Sequence, residues 1–514
     1  MTEAATDRQV VTLADRVVTG GFFVHRSSAP RRTPFDGAVA DPAEPYRHCW
    51  TYQGGGSTIR GELLSMLDGA REKIFVGTLF LGDRAVAEAL VRAATRLRGG
   101  VYVLSALDDK GLDKAINEVD DGMSIDDQTE YRNFKELTRQ GIYVRGRPGV
   151  HAKFVVVDDR VALVSSANLV TRSFDVVGEN GVVVTDPAHA GYLARLFARL
   201  WAESPWEMPP DRDHYLVQSR AVDRHGTIAE PAGNGPIWTY GKQFAILQAI
   251  RETVDNARSD LLLATFSVAN MTYPLPRMTA RPEILFEPIR RAVERGVRVR
   301  LLMRGRNHIR AARAEATAFA AAGVEIHADR LTHAKAVIAD GRDGALFSAN
   351  FLTDYGLLGG AEVGMRLDGT AALADADRYF RHVIAEADLE FVRDPTLGRL
   401  AESIYAEALN TKWRSSVVEV QRGPGLAVLA AGDGPVLFEQ QPDSAEILLY
   451  SGRDQLILTP SREPGGYQLD LLPGGARSSA EQLELWLTAA RPARGAGPSP
   501  RRGLCASPFR VRTP

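Results

Sequence analysis

The stretch His151-Ala-Lys153-Phe-Val-Val-Val-Asp158, followed by Ser166 and Asn168, returns in the same chain as His333-Ala-Lys335-Ala-Val-Ile-Ala-Asp340, followed by Ser348 and Asn350. Counted from each His, the offsets are 2, 7, 15 and 17 residues in both copies, an agreement that unrelated segments would not keep. In an extended chain alternate side chains share a face, so His151 and Lys153 point one way while Phe154 and Val156 point into the core. Asp158-Asp159-Arg160 reads as a turn, and residues 161–164 as a return strand bringing Ser166 and Asn168 back to the level of His151. A hairpin is therefore expected to carry each half-site, and two half-sites to make one site. An imidazole can attack phosphorus, Lys and Asn can offset charge growing on its oxygens, and a second imidazole can protonate the leaving oxygen. That inventory requires no metal ion and no cofactor.

The repetition extends well beyond these residues. Trp50-Thr-Tyr52 recurs as Trp238-Thr-Tyr240, each followed by a helical segment (57–73 and 242–258) and an apolar strand reaching Thr78 or Thr265. A second helix (85–98 and 283–295) then leads through a Gly to a second strand (101–105 and 297–303). Gly141 and Gly323 stand ten residues before His151 and His333, each opening another strand. The duplication so spans about 50–204 and 238–392, and strands alternating with helices argue for a mixed sheet with helices on its faces in each half.

The doubled pattern resembles the HxK(x)4D(x)6GSxN signature of the phospholipase D superfamily. It departs at the Gly of GSxN, which is Ser165 in the first copy and Phe347 in the second, a change that bears on the pocket floor more than on the chemistry. The resemblance implies an α/β fold of two pseudo-twofold-related α/β/α lobes packed so that the signatures meet. It also implies a covalent phosphohistidine, with His151 as nucleophile and His333 as general acid, served by Lys153, Asn168, Lys335 and Asn350. A nucleophilic imidazole needs a carboxylate on its other nitrogen. Glu179 and Glu362 are the candidates, eleven and twelve residues past the signature Asn, and the resemblance implies that each orients the His of its own copy. Ser166 and Ser348 are supporting residues. Asp158 and Asp340, at the turn end of the hairpin, are expected to be structural.

The expected segments are an arm at 1–48, a first lobe at 49–204, a Pro-rich linker at 205–236 and a second lobe at 237–412. A small β-rich module at 413–490, with strands near 416–420, 426–429, 436–440, 447–450, 455–459 and 467–472 and a helix at 479–490, would follow. The last segment, 491–514, has six Arg, five Pro and no acidic residue and is expected to be disordered.

With 45% hydrophobic and 25% charged residues over 514 positions, the chain has the composition of a globular protein able to bury a large core. Its start lacks a secretory leader pattern, and no run approaches the ~18 apolar residues of a membrane helix, so a cytoplasmic location without stable membrane insertion is expected. Cys49 and Cys505 have neither zinc-site nor disulfide spacing. The net charge of −2 gives no global pull toward a polyanion. Locally, residues 277–330 hold twelve Arg against six acids, and residues 108–136 ten acids against four basic residues. Either stretch can be a solvated helix face or a meeting place for a charged partner.

No P-loop is present. The readings left are a metal-independent phosphodiesterase acting on a nucleic-acid backbone, a soluble phospholipase D or phosphatidyl transferase, and a degenerate binding module of a larger assembly. The Arg excess and the HAK and SAN wording in both copies favour nucleic acid, and intact His and Lys in both copies argue against the third. Protein partners are not legible.

Overall fold

The computed structural model describes residues 17–26, 33–38, 41, 43–52, 58–107, 134–210, 218–222, 226–306, 309–396 and 399, together with the backbone of six strands between 417 and 472 and of 511–512. The chain divides into two units, one of residues 30–304 and 319–387 and one of residues 1–29, 305–318 and 388–514. Both signatures lie in the first.

That unit contains the duplicated lobes. The first lobe runs β1 (Tyr46–Thr51), α1 (Thr58–Gly69), β2 (Ile74–Gly77), α2 (Arg84–Arg96), β3 (Val101–Ser105), β4 (Tyr143–Gly146), β5 (Phe154–Val157), β6 (Val161–Ser165), β7 (Glu179–Val184), α3 (Pro187–Ala202) and β8 (Trp206–Met208). The second runs β9 (Gly235–Tyr240), α4 (Ala245–Asn256), β10 (Asp260–Thr265), α5 (Phe286–Glu294), β11 (Arg298–Arg304), β12 (Glu325–Asp329), β13 (Ala336–Ala339), β14 (Asp343–Phe347), β15 (Ala361–Arg366) and α6 (Ala371–Ala385). The sheet order β4-β3-β2-β5-β6-β7-β1 of the first lobe is reproduced as β12-β11-β10-β13-β14-β15-β9 in the second. In each, three parallel strands meet an antiparallel set at the hairpin that follows the signature His and Lys.

Both faces of the first sheet are covered, which is why β5 is buried along its whole length instead of alternating. Val155, Val157 and Leu163 pack on Ile59, Leu63 and Leu67 of α1 and Val86 and Leu90 of α2. Phe154, Val156 and Val164 face the other way, into a core shared by both lobes with Ala264, Ile338 and Val363. Helix α3 is built for that core: Asp186 caps it by accepting from the backbone of Ala188 and His189, Pro187 opens it, and Ala190, Leu193, Ala194, Phe197 and Leu200 form its buried stripe. It reaches β9 of the second lobe, as α6 reaches β1 of the first. Burying each Leu or Phe is worth about 1.5–3 kcal/mol, so the lobes are held as one body.

Three expectations shift. The signature His and Lys precede the strands, which start at Phe154 and Ala336, because their backbone is turned toward the other lobe. Part of the expected linker belongs to the fold, since β8 adds antiparallel to β4 and Pro236 already pairs with Met365. Inside the expected arm, β1 begins at Tyr46, and Gly21–His25 pairs antiparallel with Leu389–Arg393 in the second unit.

In that second unit, Val417–Val420, Leu426–Ala431, Gly434–Gln440, Ile447–Ser451, Asp454–Pro460 and Gly466–Leu472 are consecutive antiparallel neighbours, close to the ranges read from sequence. The expected helix at 479–490 lies outside the described residues, as do the tail except 511–512 and the acidic stretch 108–136 except its last three residues.

Candidate active site

Each signature hairpin is anchored at its far end by its Asp. Asp158 and Asp340 sit at φ 54° and 52°, a left-handed conformation that Asp tolerates. Asp158 accepts from the backbone N–H of Arg71, Glu72 and Lys73 at 2.8–2.9 Å. Asp340 accepts from Arg258, Ser259 and Asp260 at 2.9–3.0 Å and from the Ser259 hydroxyl at 2.7 Å. Against the cost of burial, that hydroxyl and those amides hold the Asp340 carboxyl down to about 2. These residues tie the hairpin to the start of the central strand, away from the imidazoles.

At the near end the lobes interlock. Val150 bridges Ala361 in parallel, and Gly178 bridges Thr332. His151 N–H donates to Ala361 O at 3.0 Å, and His333 N–H to Gly178 O at 2.8 Å. The segment that leads into each Glu therefore lies against the His of the opposite lobe. His151 Nδ1 is 2.8 Å from Glu362 Oε1, and His333 Nδ1 is 2.9 Å from both carboxylate oxygens of Glu179. This corrects the expectation that each Glu serves its own copy: the pairs are crossed. What stays within a copy is the next link, with the Ser166 hydroxyl donating to Glu179 at 2.5 Å and the Ser348 hydroxyl donating to Glu362.

The charges of both halves form one cluster. Burial pushes each imidazole down to about 4; the facing Glu opposes this, and the ammonium groups of Lys153 and Lys335 both add to it. The same burial, aided by Lys335, holds Lys153 well below the usual lysine range. Glu179 and Glu362 stay below the usual range because the paired His and Lys outweigh their own burial. Asn168 and Asn350 are buried, each with its side-chain oxygen lacking a hydrogen-bond partner among the described residues.

The halves are not identical. Lys335 Nζ lies 3.0 Å from His333 Nε2, whereas Lys153 Nζ donates to the His151 backbone carbonyl at 2.6 Å. The His333 side chain is 8% exposed and the His151 side chain 19%. Phe266 meets the His333 ring edge-on at 4.9 Å between centroids. Asn180 uses its amide to hold the Lys335 backbone, at 3.3 and 3.4 Å; Val363 is its counterpart. Sequence reading missed Phe266 and Asn180, since neither belongs to the repeated pattern.

The altered signature Gly has a structural answer. Ser165 faces Gly181 and Phe347 faces Gly364 across the sheet. A Cβ on Gly181 would stand 2.9 Å from Ser165 Cβ, and one on Gly364 2.7 Å from Phe347 Cβ. The glycine is supplied by the neighbouring strand, two residues past each Glu, a recurrence visible in Glu179-Asn-Gly181 and Glu362-Val-Gly364.

Part of the Arg excess of residues 277–330 is offset in space by Asp260 and Asp354, which lie outside that stretch in sequence. Arg281 pairs with Asp354, Arg298 with Glu325, Arg300 with Asp260, and Arg290 with Glu287 and Glu294. Among the described residues no group of three or more His, Cys, Asp or Glu could hold a metal ion, and no helix is long and apolar enough to cross a membrane.

A duplicated α/β chain whose lobes lend each other a carboxylate around two imidazoles defines a class. Residues 63–201 and 250–384, together just over half of the chain, match the family described as "Cardiolipin synthase, PLD-like domain", and the chain belongs to the phospholipase D superfamily. It is similar to the 5'-3' exonuclease PLD3 of Rattus norvegicus and of Bos taurus, 32% identical in each case over 166 residues. That match covers 30% of this chain and 34% of the relative, so the chain spans about a third of the length of these curated relatives. Among solved structures, phosphatidylserine synthase from Haemophilus influenzae is 14% identical, with 71% of this chain and 93% of that chain covered and a TM-score of 0.46. The phospholipase D family member Nuc from Salmonella typhimurium is 21% identical over 31% of this chain and 96% of its own, with a TM-score of 0.25.

Proposed function

We propose that the protein is a phosphodiesterase that works through a covalent phosphohistidine and needs no divalent ion, with a nucleic-acid backbone as substrate. The observation that carries the chemistry is the pair of imidazoles, His333 buried and His151 mostly so, each with Nδ1 on a carboxylate from the opposite lobe and each disposed to be neutral. A neutral imidazole whose Nδ1–H is fixed presents Nε2 as a lone pair.

The difference between the halves favours His151 as nucleophile, because its Nε2 carries no lysine and its side chain is the more open. On this reading His151 Nε2 attacks phosphorus, the bond to the leaving oxygen breaks, and His333 gives that oxygen a proton. Water then attacks phosphorus, losing its proton to His333, and the phosphorus–nitrogen bond to His151 breaks. Binding the phosphodiester anion draws the Lys335 ammonium from His333 Nε2 to a phosphate oxygen and favours the imidazolium that acts as acid. Lys153, Asn168 and Asn350 stabilise charge on the oxygens.

Nucleic acid is favoured by the relatives named as exonucleases. A phospholipid head group is the second reading, favoured by the description of the matching family as cardiolipin synthase. Purified protein in EDTA, given labelled single-stranded DNA, duplex DNA, RNA and phosphatidylcholine vesicles in parallel, separates them. Cleavage of a polynucleotide is expected. Hydrolysis of the vesicles alone would select the second reading, and turnover only after Mg²⁺ or Zn²⁺ is added would sink the metal-independent mechanism.

A further inference from the structure

The two lobes differ most in the loop that follows the central strand. Six residues, 78–83, separate β2 from α2, whereas twenty, 266–285, separate β10 from α5. The long loop starts at the site: Phe266 packs on His333, and Val268–Ala269 pairs in parallel with Phe351–Leu352, the residues just after Asn350. Asn270 welds it in place. Its backbone carbonyl accepts from Arg281 N–H and the Thr353 hydroxyl, its side-chain oxygen accepts from Leu275 N–H at 2.6 Å, and its amide reaches Asp354 at 3.4 Å. Arg281 closes the contact with an ion pair to Asp354.

Two side chains on this wall take no part in holding it. Tyr355 interrupts the helical turn after Thr353, and Gly356 follows at φ 111°, where a Cβ would stand 2.8 Å from the Asn350 carbonyl. The chain is thus pressed against Asn350 while Tyr355 is left 48% exposed. At the tip of the long loop Met278 N–H donates to Leu275 O, with Pro276 and Arg277 between them. Arg277 has φ 68° at the third place of this turn, where Gly or Asn is usual, and it is exposed. An L-residue kept in that conformation points to a use for its side chain. The loop of the first lobe is too short to offer a counterpart.

We infer that Tyr355 and Arg277 form a subsite for the chain flanking the scissile phosphate on the His333 side, a base stacking on the Tyr355 ring and a neighbouring phosphate meeting the Arg277 guanidinium. An exposed aromatic face and an exposed cation on the same wall suit a single-stranded polynucleotide, whereas a phospholipid head group has no flat face to stack. The inference rests on the phosphodiesterase reading above and adds the single-stranded substrate and its two contacts.

The test uses the full chain, wild type and the variants Tyr355→Ala, Tyr355→Phe and Arg277→Gly, the last suited to its backbone. Each is assayed on a single-stranded oligonucleotide, on the same oligonucleotide with one base removed beside the cleavage position, and on methyl 4-nitrophenyl phosphate. Tyr355→Ala should raise KM for the intact oligonucleotide by about 5- to 150-fold, the range for one stacked base. It should lose nothing further on the abasic strand, and Tyr355→Phe should behave as wild type. Arg277→Gly should weaken oligonucleotide binding with a shallower salt dependence. All variants should keep the wild-type rate on the small diester. An unchanged KM in Tyr355→Ala, an equal loss on the small diester, or undiminished sensitivity to the missing base overturns the subsite. A wild type that cleaves the small diester but no oligonucleotide overturns the subsite and leaves the phosphodiesterase standing; one that cleaves neither overturns the phosphodiesterase itself.

Discussion

At the scale of residues the crossed carboxylates make the two Glu distinguishable. Removing Glu362 takes the orienting partner from His151, and removing Glu179 takes it from His333. Each Glu→Gln change should lower turnover by about 10²-fold or more, since an imidazole in the wrong tautomer loses its role. A substrate whose leaving group needs no proton should recover much of the rate in Glu179→Gln and none in Glu362→Gln; the opposite recovery would return each Glu to its own copy. The pH dependence follows from the same burial. On the proposed mechanism the free enzyme needs one imidazole neutral and the other protonated, and both are held to about 4. The kcat/KM profile should therefore be a bell with its maximum on the acid side, falling toward neutral pH as the acid loses its proton. Folding stability has its own sign. A His that titrates near 6.5 unfolded and near 4 folded binds more protons in the unfolded state between those values, so stability is full above about 6.5 and falls as pH drops toward 4. The depressed Glu179 and Glu362 act in the same direction. A urea midpoint that did not fall over that window would contradict the burial argument.

At the scale of elements the sheet positions the chemistry by trading glycine between strands. Gly364 makes room for Phe347, so Gly364→Ala should destabilise by about 1–3 kcal/mol, the usual cost of overpacking. With Phe347→Gly the added Cβ should cost less, the Leu346 carbonyl at 2.8 Å still opposing it, and a double-mutant cycle in urea with no coupling would mean the two residues do not share the space. The hairpins themselves were legible, because turn residues, apolar runs and a fixed spacing are local signals. Asp158 and Asp340, read as the turn end of each hairpin, accept backbone N–H groups there. The crossing of Glu179 and Glu362 was not legible, since it depends on how Gly178 and Val150 meet the other lobe. The pairing within the Arg-rich stretch was not legible for the same reason: Asp260 and Asp354, which neutralise part of it, lie outside the window in sequence and beside it in space.

At the scale of the whole molecule the duplication lets each lobe complete the other's His–Glu pair. Each signature supplies one imidazole and one ammonium, each lobe keeps a Ser on its own Glu, and each Glu is spent on the other lobe. The shared core packs residues of both lobes together and so fixes the four groups against one another. Symmetry alone would leave the two His interchangeable. It is broken by Lys335 on His333 Nε2, by Phe266 against the same ring and by the long loop beside it. The most direct test of the account is to trap the covalent intermediate with a labelled phosphodiester, in wild type and in His333→Ala, and to locate the adduct by mass spectrometry. The account predicts phosphorylation of His151, accumulating in His333→Ala with a substrate of good leaving group and absent in His151→Ala. An adduct on His333 would reverse the roles, and turnover with an adduct on neither His would contradict the covalent mechanism.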